Sequence, residues 1–467
     1  MNTADISAAV RTVTDIDAHF EEFKQRVVEV AERVDAQSRG FFTPAEEEQT
    51  LGLLVSYWQS RAALLELITD FRSDDELSET DRPSAFLAAF AGALLLVDAA
   101  RFLREKIHEK RVIRKKLNQE APEFGIPARV YDTVQESLLK TRHAWHLYHA
   151  AQFFHEHEAL LRGLPDEAGL QSVMDIVDRL RSRLDVSLAQ LARVKLRARA
   201  SHTMRNVIKG PLQKALHGLQ KLAGTMVADV YVRPKHQPQL PDAIVAQLRN
   251  VLLPGDVLVV RKEYALTNYF LPGYWPHAAL YLGHGDDLRK LGLDEFEQTR
   301  PRWSMLSEST AADDDAKSPR VLEAKKDGVR IRSLASPCAA DSVLVLRPLI
   351  SEQDRAAALA RALGHEGKRY DFTFDFRRSD QLVCTEVVYR AYDGIGNIRV
   401  PLIRRAGRPT LAGQDLLEMA IRGECFEAVA VFEPEYSDQL VTDAAVMEVV
   451  KQKESATEAE TANSKRG

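Results

Sequence analysis

The chain has 467 residues, 45% hydrophobic and 28% charged, a balance that excludes wholesale disorder and leaves room for two or three domains. A formal net charge of -5 excludes the global basic field of a protein that binds nucleic acid over its whole surface. The three cysteines are too few and too scattered for a disulfide framework or a Cys-x-x-Cys zinc site, so we expect a reducing compartment.

Residues 1–230 are predicted to form a bundle of antiparallel helices. Apolar residues between Ile16 and Val34 recur at spacings of three and four, which places them on one face of a helix. Thr43, followed by Pro44 and Glu46, predicts the start of the next helix with a capping box. Further helical patterns cover about 83–107, 126–162 and 166–200.

The apolar run Ala85 to Val97 could be mistaken for a membrane span. Thirteen residues of helix cover only about 20 Å of a hydrocarbon core of about 30 Å, so the run is predicted to be a buried core helix. The N-terminal segment lacks the basic stretch and apolar run of an export signal. A cytoplasmic protein is therefore expected.

Two segments of the helical half, one rich in histidine and one basic, have compositions that also occur in binding sites. Five histidines between His143 and His157 lie among aromatic residues, a pattern more typical of a packing face than of a metal site, so neither a metal nor another cofactor is predicted. The basic run at 101–116 is typical of a solvated helix face, and it could contact an anionic surface if the substrate were a phospholipid. No nucleic acid partner is expected, and the sequence does not indicate the oligomeric state.

Three prolines in residues 231–243 predict a linker, and the pattern changes after it. Residues 244–436 are predicted to form an α+β domain on an antiparallel sheet. Its strands are expected at 255–260, 277–282, 320–325, 328–334 and 342–348, with one helix at about 352–363 and another beginning near Cys384. Residues 437–467 are predicted to be a polar, disordered tail.

Three residues of this domain carry candidate chemistry. Cys384 stands where a helix should begin, and the partial positive charge at a helix N-terminus favours a thiolate. His277 opens a predicted strand, at a position where it could accept the thiol proton. Glu323 is a lone acid in an apolar strand, and a buried carboxylate needs a partner such as that imidazole.

Each residue also has a structural interpretation. Cys384 is flanked by apolar residues and could be a small buried side chain. His277 on a strand could be structural. Glu323 could pair with Lys325, Arg330 or Arg332 across a hairpin without taking part in catalysis. The order of the three residues, with their surroundings, favours catalysis over these readings.

The segment from Pro254 to about Tyr392 resembles the YiiX-like permuted papain-fold amidases, relatives of the NlpC cell-wall peptidases and of the lecithin retinol acyltransferases. The resemblance rests on Gly255-Asp256, the strand from His277 to Gly283, Glu323-Ala324 followed by Gly328-Val329-Arg330, and Tyr370-Asp371 ahead of Cys384. In that family the histidine strand precedes the cysteine helix, as it does here.

The resemblance implies a permuted papain-like domain in which Cys384 is the nucleophile, His277 the base and Glu323 the orienting acid. Tyr370 and Asp371 would line the site, and Trp275 beside His277 is a further candidate for substrate contact. Two features depart from the family pattern: an insertion at about 284–319 that could shape or cover the cleft, and Thr385 where serine is more usual.

The expected activity is that of a cysteine hydrolase that cleaves an amide bond of a small peptide through a thioacyl-enzyme. Two alternatives stay open at this point. One is a lipid-directed acyl hydrolase or acyltransferase that uses the same triad. The other is a non-catalytic helical scaffold or binding protein that has kept the fold.

Overall fold

A computed structural model describes residues 3–33, 36–71, 78, 80–121, 124, 126–166, 169–184, 211–228, 239–262, 273–310, 318–405 and 407–464. The chain divides into two compact units. Met1–Pro122 and Ile126–Pro234 form the first, and Glu123–Gly125 and Lys235–Gly467 form the second. The predicted α+β fold class, with an N-terminal helical region and a C-terminal antiparallel sheet, is confirmed.

The first unit is helical throughout its described part. Its helices are Thr3–Arg33, Ala36–Arg39, Pro44–Asp70, Arg82–Ile107, Arg111–Leu117, Val130–Leu139, Thr141–Glu156, Glu158–Arg162, Leu170–Leu180 and Pro211–Ala228, with a 3-10 turn at Arg181–Leu184. The capping box predicted at Thr43 is present, because its side chain accepts from the Glu46 N–H while Glu46 reaches back to the Thr43 N–H. The helical pattern at 126–162 is three helices rather than one. The predicted helix at 166–200 ends at Leu180, and its last part lies outside the described residues.

The apolar helix Arg82–Ile107 is the central helix of the first unit. By length and composition it could cross a membrane, but 89% of its most apolar window is buried inside the structure. The helix is longer than the thirteen-residue apolar run from which it was predicted. Its burial agrees with the prediction of a core helix. Phe86 and Phe90 on this helix pack against Phe153 and Phe154.

The basic run at 101–116 makes many contacts within its own unit. Lys110 donates to the carbonyl of Ala31 at 2.7 Å, Arg114 pairs with Asp132 at 3.0 Å, and Lys116 pairs with Glu47. Side chains held in this way present less free charge to an anionic surface. Contact with such a surface stays a prediction.

The second unit is built on a seven-stranded antiparallel sheet, whose strands are β1 Val257–Arg261, β2 His277–Tyr281, β3 Val321–Lys325, β4 Gly328–Arg332, β5 Ser342–Pro348, β10 Phe426–Phe432 and β11 Val441–Thr442. Their order across the sheet is β11-β10-β5-β1-β2-β3-β4. Two small pairs complete the strands: β6 Arg369–Tyr370 with β7 Gln381–Leu382, and β8 Ile403–Arg405 with β9 Arg408–Thr410. The helices are Asp242–Val251, Gly285–Lys290, Trp303–Ser307, Ala335–Cys338, Glu352–Leu363, Cys384–Tyr392, Gly413–Ile421 and Ala445–Ser464, with 3-10 turns at Leu293–Glu295 and Glu297–Arg302.

The two faces of this sheet carry separate apolar cores. On one face, Val387 and Val388 of the helix Cys384–Tyr392 pack with residues of β2 and β3 such as Leu280 and Leu322. On the other face, Ile244 of the helix Asp242–Val251 packs with alternate residues of the central strands. The alternation of side chains along each strand therefore serves both cores. It also brings the start of the Cys384 helix to β2.

The C-terminal segment differs from the disordered tail predicted for 437–467. Val441–Thr442 pairs with β10, and the helix Ala445–Ser464 follows. Val446 and Val450 lie four positions apart on this helix and are both buried in the core of the second unit. The polar composition of the segment conceals this apolar contact. At the other domain edge, residues 231–238 of the predicted linker lie outside the described residues, and a helix already begins at Asp242.

Candidate active site

Cys384 is the first residue of the nine-residue helix Cys384–Tyr392, with Val383 as its N-cap. The preceding loop is tied to this helix by Arg390, which donates to the carbonyls of Phe376 and Arg378 and pairs with Glu386. The first N–H groups of a helix have no intrahelical acceptor and point along its axis. The sulfur of Cys384 is thus held next to a cluster of backbone donors.

His277 is the first residue of β2, paired with Val260 of β1. The chain reaches this point through a tight crossing: a Cβ atom on Gly413 would lie 2.3 Å from the Trp275 carbonyl oxygen, so only glycine fits there. The sulfur of Cys384 lies 3.9 Å from the carbonyl oxygen of Pro276, the residue before His277, and the Cys384 and His277 side chains interact electrostatically. The structure therefore brings the predicted nucleophile and base together across 107 positions of sequence.

Glu323 lies on β3, on the same side of the sheet as His277, because β2 and β3 pair with Leu280 opposite Leu322. Its Oε2 atom lies 2.8 Å from His277 Nε2, which leaves Nδ1 as the ring nitrogen available to the thiol. Its carboxylate is fully buried. The three predicted catalytic residues thus form one connected Cys-His-Glu set.

Glu323 also makes two of the three ion pairs that would give it a structural role. Lys325 Nζ lies 3.4 Å and Arg332 Nε 3.3 Å from its Oε1 atom, whereas Arg330 pairs with Glu366 instead. Pairing across the hairpin and contact with His277 therefore coexist, one on each carboxylate oxygen.

The electrostatics of the site favour a thiolate-imidazolium pair. Burial alone would raise the pKa of the Cys384 thiol, but the adjacent His277 and the backbone N–H groups of Ala278 and Thr385 lower it. Burial likewise opposes charge on His277, yet its contacts with Cys384 and Glu323 prevail and raise its pKa to about 9. For Glu323, burial is outweighed by Lys325 and His277, which hold its pKa well below the usual range. His277 and Glu323 are therefore charged near neutral pH, and the positive charge on His277 favours the thiolate form of Cys384.

Thr385, the residue after the cysteine, departs from the family pattern without disturbing the site. Its hydroxyl is fully buried and donates to the carbonyl of Leu411 at 2.6 Å. Its backbone N–H remains directed at the Cys384 sulfur. A threonine here anchors the helix start to the neighbouring loop and leaves the backbone donor in place.

The predicted substrate-contact residues have mixed surroundings. Asp371 is fully buried, and its oxygens accept from the N–H groups of Thr373 and Asp375 at 2.7 and 2.6 Å, so it organises its own loop instead of facing a cleft. Trp275 is 2% exposed and packs edge-on against Tyr274. Tyr370 is half-buried against Phe372. Of the three, Tyr370 alone is appreciably exposed to solvent.

The described part of the insertion at 284–319 begins at the end of β2 opposite to His277. It leaves β2 at the Tyr281 end, four residues or about 13 Å along the strand from His277. Leu288, Leu293 and Leu306 from this insertion are buried in the sheet core, and Arg302 pairs with Glu366 at 2.9 Å. These residues extend the core. Residues 311–317 lie outside the described part.

Sequence reasoning missed Ser336, whose hydroxyl donates to Glu323 Oε1. No spacing in the sequence signals this contact, because Ser336 follows the β3–β4 hairpin on a one-turn helix, Ala335–Cys338. It also missed Ala278, which acts only through its backbone N–H. Every residue except proline has a backbone N–H, so the residue type gives no sign of such a donor.

Residues 251–450 match the model of a family described as permuted papain-like amidase enzyme, YaeF/YiiX, C92 family. The match covers the sheet, both small strand pairs, and the residues Cys384, His277 and Glu323. The predicted resemblance is thereby confirmed for the C-terminal half of the chain, and it supports a hydrolase-type activity for that half. No curated protein and no solved structure matches the chain.

Proposed function

We propose that the protein is a cysteine amidase that acts through a thioacyl-enzyme, since residues 251–450 match a family described as permuted papain-like amidases. One observation carries the proposal. Cys384, at the start of a helix that packs against β2, interacts electrostatically with His277 of that strand, and Nε2 of His277 lies 2.8 Å from the buried Glu323. A thiol, a base within reach and an acid that orients the base are the parts that nucleophilic acyl transfer requires.

The reaction follows from these groups. The Cys384 thiolate attacks the carbonyl carbon of an amide, and the carbonyl electrons move to oxygen. Backbone N–H groups at the helix start stabilise that oxyanion. The His277 imidazolium gives its proton to the leaving nitrogen, so the C–N bond breaks and a thioester with Cys384 remains. Water then attacks the thioester while His277 takes one of its protons, which releases a carboxylic acid and restores the thiolate-imidazolium pair.

Two observations favour an amide substrate over a lipid ester. The matching family is described as an amidase. The basic run at 101–116, which would be the membrane contact of a lipid-directed enzyme, holds several of its cations in ion pairs and hydrogen bonds within its own unit. The proposed substrate is accordingly the amide bond of a small peptide.

Selective alkylation tests the proposal. The intact protein is treated with iodoacetamide at pH 6 to 7, and the labelling rates of Cys384, Cys338 and Cys425 are compared by peptide mass spectrometry. We expect Cys384 to react fastest despite its burial, because it alone is paired with an imidazolium. His277→Ala should slow Cys384 at least about tenfold and leave Cys425 unchanged. Equal rates at Cys384 and Cys425, indifferent to His277, would remove the basis for an enzyme.

A further inference from the structure

A chain of hydrogen bonds continues beyond the proposed triad. Glu323 faces His277 with Oε2, and its other oxygen, Oε1, accepts from the hydroxyl of Ser336. Lys325 Nζ lies 2.6 Å from the same hydroxyl oxygen. A lysine ammonium only donates, and a serine hydroxyl has one hydrogen to give. The direction is therefore fixed: Lys325 donates to Ser336, and Ser336 donates to Glu323.

Ser336 is held rigidly where it can serve this purpose. It lies on the short helix Ala335–Cys338, and its N–H donates to the carbonyl of Ser333 at 3.1 Å. Leu334 and Cys338, on either side, are buried in the core on that face of the sheet. A hydroxyl on so fixed a backbone has a defined direction.

Two cations compete with His277 for the carboxylate. Lys325 Nζ and Arg332 Nε lie 3.4 and 3.3 Å from Glu323 Oε1, and both side chains are partly exposed. A carboxylate free to rotate could turn both oxygens towards these cations and away from the imidazole. The Ser336 hydroxyl occupies Oε1 and engages Lys325 as well, which leaves Oε2 for His277.

We propose that Ser336 is a positioning residue for the reaction: by holding Glu323 Oε1 it keeps Oε2 against His277 and so fixes the imidazole beside Cys384. Lys325 orients the serine. The inference rests on the proposed function and adds to it a fourth side chain that touches neither the thiol nor the imidazole. It also explains how an acid surrounded by cations can still serve the histidine.

The test uses the full-length protein and the negatively charged probe iodoacetate, whose alkylation of the Cys384 thiolate, with loss of iodide, is favoured while His277 carries its proton. Rates at Cys384 are measured across pH for wild type and for the shape-matched pair Ser336→Thr and Ser336→Val. Threonine keeps the hydroxyl, whereas valine has the same shape without it. Ser333→Ala, on the same turn, is the control, since Ser333 contributes only its carbonyl to this turn.

Ser336→Val should bring the alkaline fall in the iodoacetate rate to lower pH by about one unit, because a hydrogen bond to a charged group is lost and the imidazolium is held less firmly. Ser336→Thr and Ser333→Ala should retain the wild-type profile. A lower unfolding temperature for Ser336→Val with an unchanged pH profile would overturn the inference and leave a purely structural role.

His277→Ala separates this inference from the proposed function. If that variant leaves the labelling of Cys384 unchanged, the proposed function fails, and the inference fails with it. If His277→Ala slows labelling while Ser336→Val matches wild type, the inference alone fails. If His277→Ala slows the labelling of Cys384, Ser336→Val shifts its pH profile and Ser336→Thr matches wild type, both the proposed function and the inference are supported.

Discussion

Replacing Glu323 with glutamine tests the electrostatic part of the site, because glutamine keeps the shape and the hydrogen bond but removes the charge. The pKa of His277 rises from 6.5 to about 9 through its contacts with Cys384 and Glu323. That net rise of about 2.5 pH units corresponds to about 3 kcal/mol, and because burial opposes it, the favourable contacts with Cys384 and Glu323 together exceed that figure. Loss of the carboxylate charge should therefore lower the pKa of the imidazolium by about one unit.

The assay follows the ultraviolet absorbance of the Cys384 thiolate across pH, as the difference between each protein and its Cys384→Ala counterpart. With a lower pKa, His277 is protonated at fewer pH values and stabilises the thiolate over a narrower range. The titration midpoint of the Cys384 thiol in Glu323→Gln should therefore move to higher pH by about one unit. Glu366→Gln is the matched control, because Glu366, like Glu323, pairs with two cations of the same unit, in its case Arg302 and Arg330. A midpoint for Glu323→Gln that coincides with wild type would refute the reasoning.

Three further predictions concern stability, each read from thermal or urea unfolding of the full chain. Arg347 donates to both oxygens of the buried Asp256 at 2.9 and 2.7 Å. Asp256→Asn removes this counter-ion and should lower the free energy of unfolding by about 3 kcal/mol, and an unchanged unfolding midpoint would contradict that. Thr43→Ala removes the capping box and should cost about 1 kcal/mol, whereas a loss below about 0.3 kcal/mol would mean that the cap is not formed. Val446→Asp puts a carboxylate into the core and should cost several kcal/mol, while Lys451→Asp on the exposed side should be neutral; equal effects would indicate that this helix does not pack.

Local patterns predicted much of the second unit. Short β-rich runs between turn signals indicated the strands β1 to β5, and the helix expected at about 352–363 is found at Glu352–Leu363. The order of His277, Glu323 and Cys384 along the chain, together with the resemblance, indicated which residues should meet. The geometry that joins them, with 2.8 Å between His277 and Glu323, depends on the pairing of β2 with β3, which the sequence pattern does not specify.

The contacts that the sequence did not reveal share a physical cause. Asp371 is used by its own loop, because Thr373 and Asp375 supply N–H donors that only the folded turn brings close. Ser336 matters through one contact made by tertiary packing. The helix Ala445–Ser464 looks polar in composition, but two of its valines meet the core. In each case the decisive partner is distant in sequence or belongs to a turn, and residue type alone does not reveal it.

The most direct test of the central claim is to trap the thioacyl-enzyme. The full-length protein is mixed with p-nitrophenyl acetate, quenched with acid, and mapped by mass spectrometry for an acetyl group on each cysteine. The Cys-His-Glu arrangement predicts a burst of one nitrophenolate per chain, a thioester on Cys384 that hydroxylamine removes, and a slower burst in His277→Ala. Acetylation spread over Cys425 and surface lysines, with a time course unchanged by Cys384→Ala, would contradict it.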